Sequence, residues 1–282
     1  MNYLMSVVLG IVQGVAEFLP ISSSGHLTLF QHFFGLPEPD LLFNVLLHFA
    51  TLIAVFIYYR RDIAEMIVEF VRGVIALFSP TRRGERVPDA RRMVFLVIVG
   101  TLPLFLVLPF KDHIEALGAS PVFVSCALLV TGGILFLADR IGSGRKKVRS
   151  ATVVDVLLVG LAQGCATVPG LSRSGCTISA GMARGFDRRF AVRFSFLLSL
   201  PAVLGATLLE AKDVLTDPAV LSPDLLPKYL LGMLVAGVVG YLSLGLLNVI
   251  VRKGKFGAFA YYCWGAGVVS LILCLTGWLP VA

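Results

Sequence analysis

Six stretches of this chain, roughly 41–60, 92–110, 119–139, 190–209, 229–251 and 257–279, are apolar over lengths that can cross a bilayer, for which about 20 residues are needed. A chain that must bury so many such segments in lipid can satisfy its backbone polar groups only inside helices or a closed barrel, and stretches of this length and continuity specify helices. Composition agrees: 15% of the 282 residues are charged and 57% are hydrophobic, where soluble domains carry about 25% charge. With a mean hydropathy of +0.89, a water-soluble globule and a disordered chain are both excluded. The expected fold class is therefore all-α, a polytopic membrane protein with six transmembrane helices.

Two further apolar regions, about 4–34 and 152–187, are each interrupted near the middle by proline, glycine and a serine cluster, leaving halves too short to span. They are predicted to be re-entrant helical hairpins. Irregular backbone at membrane depth persists only where it is buried in protein or lines a wet cavity, so both breaks are candidate sites. The segment from Ile63 to Phe78, carrying Glu65, Glu69 and Arg72, reads as an amphipathic helix lying in the interface.

The basic residues give the orientation. Of 24 Lys and Arg, twenty fall in the segments 60–92, 140–149, 184–193 and 252–255, three (Lys111, Lys212, Lys228) fall on the opposite side, and Arg173 lies inside the second break. Basic loops stay cytoplasmic, which places the first hairpin on the outer side, the second on the cytoplasmic side, and both termini outside. The net charge of +7 is thereby explained by topology, and no nucleic-acid partner is expected. The five cysteines lack CxxC spacing and lie in apolar stretches, so they are expected to be inert buried thiols. The N-terminal MNYLMSVVLGIVQG has no basic n-region or small-residue cleavage site and is expected to be retained.

The two interrupted regions are related. At an offset of 150, Gly10, Gln13, Gly14, Ala16, Ser22, Ser24 and Gly25 meet Gly160, Gln163, Gly164, Ala166, Ser172, Ser174 and Gly175. Each hairpin is followed by three spans, so residues 1–149 and 150–282 are expected to form oppositely oriented halves of one membrane domain. Such inverted repeats place their site where broken helices meet.

The polar residues at the breaks suggest its chemistry. Gln13 and Glu17 share a helix face, and an intramembrane carboxylate is retained where it faces a cavity or a partner. Ser22, Ser23, Ser24 and His26 follow. In the second break Arg173 presents a planar fork suited to phosphate oxygens, Ser172, Ser174 and Thr177 add hydroxyls, and a helix N-terminus points at the same place. The alternative is a structural Arg173–Glu17 pair across the repeat, which leaves the hydroxyls unexplained. Because the repeat diverges at Glu17/Thr167, Ser23/Arg173 and His26/Cys176, one half offers proton-transfer or nucleophilic groups and the other an anion cradle, a combination that favours phosphoryl chemistry over simple holding. Asn44 and His48 are weaker cavity candidates. Asp155 is expected to cap its helix rather than hold a metal. His32 and His113 carry no signal.

These motifs resemble the undecaprenyl-diphosphate phosphatase family, the bacitracin-resistance type. Its hallmarks are Glu/Gln-x-x-x-Glu leading into a serine cluster and Gly-His, here Gln13 to Glu17 and Ser22 to His26, and Pro-Gly-x-Ser-Arg-Ser-x-x-Thr, here Pro169 to Thr177. The resemblance implies hydrolysis of the terminal phosphate of undecaprenyl diphosphate, recycling the lipid carrier of cell-wall synthesis in the bacterial inner (plasma) membrane, with the site open to the periplasmic side. It implies a divalent cation, Mg²⁺ or Ca²⁺, and a link to bacitracin only through the shared lipid. It also implies that Glu17, Ser23, His26 and Arg173 are the catalytic group, with Gln13, Ser22, Ser24, Ser172, Ser174 and Thr177 as phosphate or metal support. Gln13 is the neutral option at a position often held by Glu, which weakens two-carboxylate metal binding. Whether His26, Ser23 or a water activated by Glu17 attacks phosphorus stays open, as does a homodimer. The alternative function is a transporter or flippase for a phosphorylated polyprenyl lipid.

Overall fold

The computed structural model describes residues 1–35, 41–77, 87–142, 144–216 and 224–278. Arg82, Arg83 and Arg86 of the charge map, Phe78 at the end of the amphipathic segment and Leu279 at the end of the last span lie outside the described residues. Every named element among them is helical: α1 (Tyr3–Ala16), α2 (Ser23–Phe33), α3 (Leu41–Tyr58), α4 (Arg60–Leu77), α5 (Asp89–Thr101), α6 (Lys111–Ala116), α7 (Pro121–Ile141), α8 (Val153–Cys165), α9 (Arg173–Ala183), α10 (Arg188–Thr216), α11 (Leu226–Arg252) and α12 (Ala258–Leu275).

Among the described residues, five segments are long and apolar enough to cross a membrane: Asp89–Ile114, Pro121–Ile141, Arg188–Leu209, Leu226–Arg252 and Ala258–Leu275. A sixth qualifies as a bent pair, Leu42–Tyr58 with Arg60–Ala76, turned by 80°. All six expected stretches are thus helical, and the chain is a multi-pass membrane protein. Its exterior suits lipid: Leu230, Leu234, Val238, Leu242 and Leu246, spaced four apart on one face of α11, are each 50–65% exposed, a stripe that water would not tolerate. The interior is aromatic and aliphatic, with Phe186 against Phe190 and Phe194 where α9 leads into α10, and Phe196 between Phe18 and Tyr59.

The stretch expected at 92–110 departs from a uniform α-helix. Pro103 and Pro109 each lack an N–H and crowd the preceding turn, and the chain tightens there into 3-10 turns over Leu102–Leu106 and Leu108–Phe110. The interrupted regions form α1 packed on α2 and α8 packed on α9. At 14 and 13 residues, α1 and α8 reach only about 20 Å at 1.5 Å per residue, short of a hydrocarbon core of about 30 Å. α1 lies against α11 at backbone distance: a Cβ on Gly14 would sit 2.7 Å from the Ala236 carbonyl oxygen and 2.9 Å from the Gly240 nitrogen, the small-residue packing that membrane helices use in place of a hydrophobic drive.

The segments that share the basic residues are joined by ion pairs. Arg193 pairs with Asp62, Arg91 and Arg72 with Glu69 at 2.9 Å each, and Arg149 with Asp89 at 2.6 Å. Asp155 closes a capping box with Thr152 and receives Lys146 Nζ at 2.8 Å and Arg184 Nε at 2.9 Å. Burial pushes its carboxyl up, and these donors more than offset that, holding it at about 2. Asp155 is therefore part of the fold's framework, and it does not line the cavity described next.

Candidate active site

The two breaks are built alike. α2 is capped by Ser22, whose Oγ accepts from Gly25 N at 3.2 Å, and α9 by Ser172, whose Oγ accepts from Gly175 N at 3.1 Å. A capping serine uses only its lone pairs in this way, so its hydroxyl proton can still be donated. The neighbouring serines repeat the likeness, with Ser22 and Ser24 hydroxyl oxygens 3.4 Å apart and those of Ser172 and Ser174 3.3 Å apart.

The breaks meet. Gly170 N donates to Ser24 Oγ at 3.4 Å, and a Cβ on Gly25 would lie 3.1 Å from Gly170 Cα. Thr131 of α7 clamps the second break, donating to Gly170 O at 3.1 Å and accepting from Ser172 N at 3.2 Å. Gly170 adopts φ +90°, and Ser22, with φ +73°, is the one non-glycine at positive φ among the described residues. Such backbone costs about 1–3 kcal/mol and persists where surrounding contacts over-determine it, commonly at functional sites.

Glu17 stands at the junction, 7% exposed. Arg173 Nη2 donates to its Oε1, Ser23 Oγ donates to Oε2 at 2.6 Å, and Gln13 Nε2 donates to Oε2 at 3.2 Å. His48 Nδ1 donates to the Asn44 carbonyl at 2.9 Å, which leaves Nε2 facing Glu17 Oε2 at 4.0 Å. Arg173 is the first residue of α9, so its cation sits on the positive end of the helix dipole. That combination demands an anion, and Glu17 meets the demand. Arg173 Nη1 is buried without a partner.

Beside this junction lies a cavity of about 460 Å³. Glu17, Ser22, Ser23, Ser24, His48, Gln163, Ser172, Arg173 and Ser174 line it with polar groups, joined by Thr101, Lys111, Thr167 and Thr207, and Leu104, Phe105 and Leu108 of the 3-10 stretch with Pro201 of α10 add apolar surface. The 3-10 stretch that the prolines of this span produce thus contributes directly to the cavity lining.

Several expected residues lie elsewhere. His26 does not line the cavity: its Nδ1 donates to the Ser22 carbonyl at 2.8 Å, its Nε2 pairs with Tyr262 Oη at 2.9 Å, and its ring stacks on Tyr262 at 5.6 Å. Thr177 is turned inward to the Arg173 carbonyl and to Ser195 Oγ at 2.6 Å. Gln13 supports Glu17 from behind the wall, and Asn44 accepts from Gln31 Nε2 at 3.2 Å. Sequence reasoning did not single out Tyr262, Thr131 or Gln163 as functional residues. Gln163 was visible as the repeat counterpart of Gln13, whereas Tyr262 and Thr131 carried no local signal.

Among the described residues no three His, Cys, Asp or Glu converge on a metal position, and Glu17 is the one acidic residue lining the cavity. Gln13 Oε1 is buried without a partner. One carboxylate and one free carboxamide oxygen suit a hard cation that takes most of its ligands from substrate oxygens and water.

Fold and site together define a class: a polytopic helical membrane protein with a buried Arg173–Glu17 ion pair where the α1–α2 and α8–α9 pairs meet. The chain belongs to the family described as bacitracin resistance protein BacA, whose sequence model matches residues 6–269. It is 43% identical over 272 residues to the undecaprenyl-diphosphatase of Desulfosudis oleivorans, covering 96% of this chain and 98% of that protein. To the undecaprenyl-diphosphatase of Carboxydothermus hydrogenoformans it is 41% identical over 279 residues, 98% and 99% of the two chains. To that of Methanosphaera stadtmanae it is 40% identical over 278 residues, 97% and 98% of the two.

Proposed function

We propose that this chain is an undecaprenyl-diphosphatase, hydrolysing the terminal phosphate of undecaprenyl diphosphate to leave the lipid monophosphate and free phosphate. Near-complete alignment with relatives of that name supports the activity. The observation that carries the chemistry is the contact of Ser23 Oγ with Glu17 Oε2 at 2.6 Å beside Arg173 in a cavity lined by both polar and apolar side chains.

A hydroxyl in contact with a carboxylate has the geometry of a nucleophile and its base. Ser23 Oγ attacks the terminal phosphorus as its proton passes to Glu17. The bond from phosphorus to the bridging oxygen breaks, and the lipid monophosphate leaves without protonation, since phosphate monoesters ionise near pH 6. Water then attacks phosphorus, Glu17 returns its proton to the departing Ser23 Oγ, and phosphate leaves carrying both protons of the water. Arg173, through Nη1, and the hydroxyls of Ser22, Ser172 and Ser174 take the charge on the phosphoryl oxygens, where preorganised donors act most strongly. His26, held by Tyr262 and by the Ser22 carbonyl, positions the strained cap rather than attacking. A divalent cation, when bound, neutralises phosphate charge, and Glu17 with Gln13 Oε1 would hold it.

The surrounding architecture fits this reading. α1–α2 and α8–α9 are re-entrant hairpins of an inverted repeat, α4 lies in the interface, and the shared basic face is cytoplasmic, so the termini and the cavity opening face outward from the plasma membrane. Purified protein in detergent tests the reading: wild type releases phosphate from undecaprenyl diphosphate and Glu17→Ala does not. Lipid translocation in liposomes with no phosphate release points instead to a carrier.

A further inference from the structure

Gln163 occupies an unusual position for a buried carboxamide. It lies on α8, is 1% exposed, and lines the cavity shared by Glu17 and Arg173. Neither its Nε2 nor its Oε1 has a hydrogen-bond partner. A buried polar group left unpaired carries the full penalty of its desolvation, so native proteins rarely keep one without a use for it.

The repeat explains how the group came to be free. Its counterpart, Gln13, donates to Glu17 Oε2 at 3.2 Å. At the position equivalent to Glu17 the second half has Thr167, whose short hydroxyl turns back to the Gly164 carbonyl at 2.8 Å. The acceptor that occupies the first amide is thus missing from the second, and the buried amide of this cavity-lining residue is left without a partner. Arg173, whose Nη1 is also buried and unpartnered, lines the same cavity.

We infer that Gln163 is a substrate-binding residue of this cavity, its Nε2 donating to phosphate oxygens of the diphosphate. The inference rests on the reading that the cavity accepts a lipid diphosphate. A neutral donor suits the place: it adds a hydrogen bond without adding charge to the balanced Arg173–Glu17 pair, and so helps to hold the anion without trapping the product.

The test is Gln163→Leu, which keeps the side chain's bulk and removes both polar atoms. Substrate binding predicts that the variant melts in detergent at or above the wild-type temperature, because replacing unpaired polar atoms by apolar ones is neutral or stabilising. Its kcat/KM for undecaprenyl diphosphate falls about tenfold to a hundredfold, the range of a hydrogen bond to a charged group. A structural role predicts the opposite pairing, with lowered melting temperature, and that result overturns the inference, as does kcat/KM within about twofold of wild type. Inorganic pyrophosphate separates this from the activity itself. If wild type releases no phosphate but is stabilised by pyrophosphate, and Gln163→Leu is not, the activity reading fails and the binding role stands. If pyrophosphate stabilises neither and wild type is inactive, both fall.

Discussion

Replacing Glu17 by glutamine separates a pair that merely holds the fold from one that works. The carboxamide keeps the size of the side chain and can still accept from Ser23, but it cannot take a proton and cannot neutralise Arg173. Breaking a buried ion pair on one side costs about 3–5 kcal/mol. The Arg173 side chain is 23% exposed and borders a polar cavity, which reduces the expected loss to about 1–3 kcal/mol. The helix end beneath Arg173 acts in the same direction, since an unpaired cation there is repelled. Activity should fall by about 10²- to 10⁴-fold for loss of a general base. The double variant Glu17→Gln/Arg173→Gln carries no unpaired charge, so its melting temperature should recover towards wild type while phosphate release stays absent. Thermal unfolding in detergent and a phosphate-release assay at saturating substrate read both quantities. Near-wild-type turnover by Glu17→Gln would refute the role given to the carboxylate, and a double variant no more stable than the single one would refute the electrostatic account of the pair.

Three further outcomes follow from the same geometry. Ser23→Ala should abolish turnover and leave melting close to wild type, whereas Ser22→Ala should lower stability by about 1 kcal/mol through loss of the α2 cap and weaken turnover without abolishing it; equal effects on both readouts would contradict the division of labour between them. His26→Ala should lower melting temperature and turnover together while both limbs of the pH–rate profile remain, because its ring nitrogens are engaged away from the cavity; loss of a limb would make it an acid–base group. Gln13→Glu should reduce the divalent-cation concentration needed for half-maximal activity, and chelation of wild type should depress activity; an unchanged cation titration in the variant would remove Gln13 from the cation's surroundings.

Much of the fold was legible because lipid enforces a simple rule: a long apolar run must become a helix. The same rule made the interruptions conspicuous, and with them Glu17, Arg173 and the serines, whose cost in hydrocarbon needs a reason. Less legible was what each polar residue does once folded. His26 stands one turn beyond Ser22, and the family resemblance put it in the catalytic group with its exact part left open. Its direction was decided by Tyr262, 236 residues away, which no local pattern reports. Thr177 was similarly taken inward by Ser195. The 3-10 tightening at Pro103 and Pro109 could be suspected from proline alone, but that it would aim Leu104, Phe105 and Leu108 at the site depends on packing.

The likeness of the two breaks also clarifies why one is acidic and the other basic. Ser22 and Ser172 do the same backbone work at the same place, so the repeat conserves the scaffold: a cap, a glycine for close approach, and a helix N-terminus directed at the junction. Two helix ends that converge in a low-dielectric setting both favour an anion, and if both halves had kept the same neutral residues the junction would gather positive potential with no built-in base. Glu17 supplies resting neutrality and a proton acceptor in one half. Arg173 adds an anion donor with one amine committed to Glu17 and one free. Divergence at these two positions, with Thr167 releasing Gln163 on the same side, converts a duplicated structural device into a site with distinct donor and acceptor walls, which is what transfer of a phosphoryl group from one oxygen to another requires.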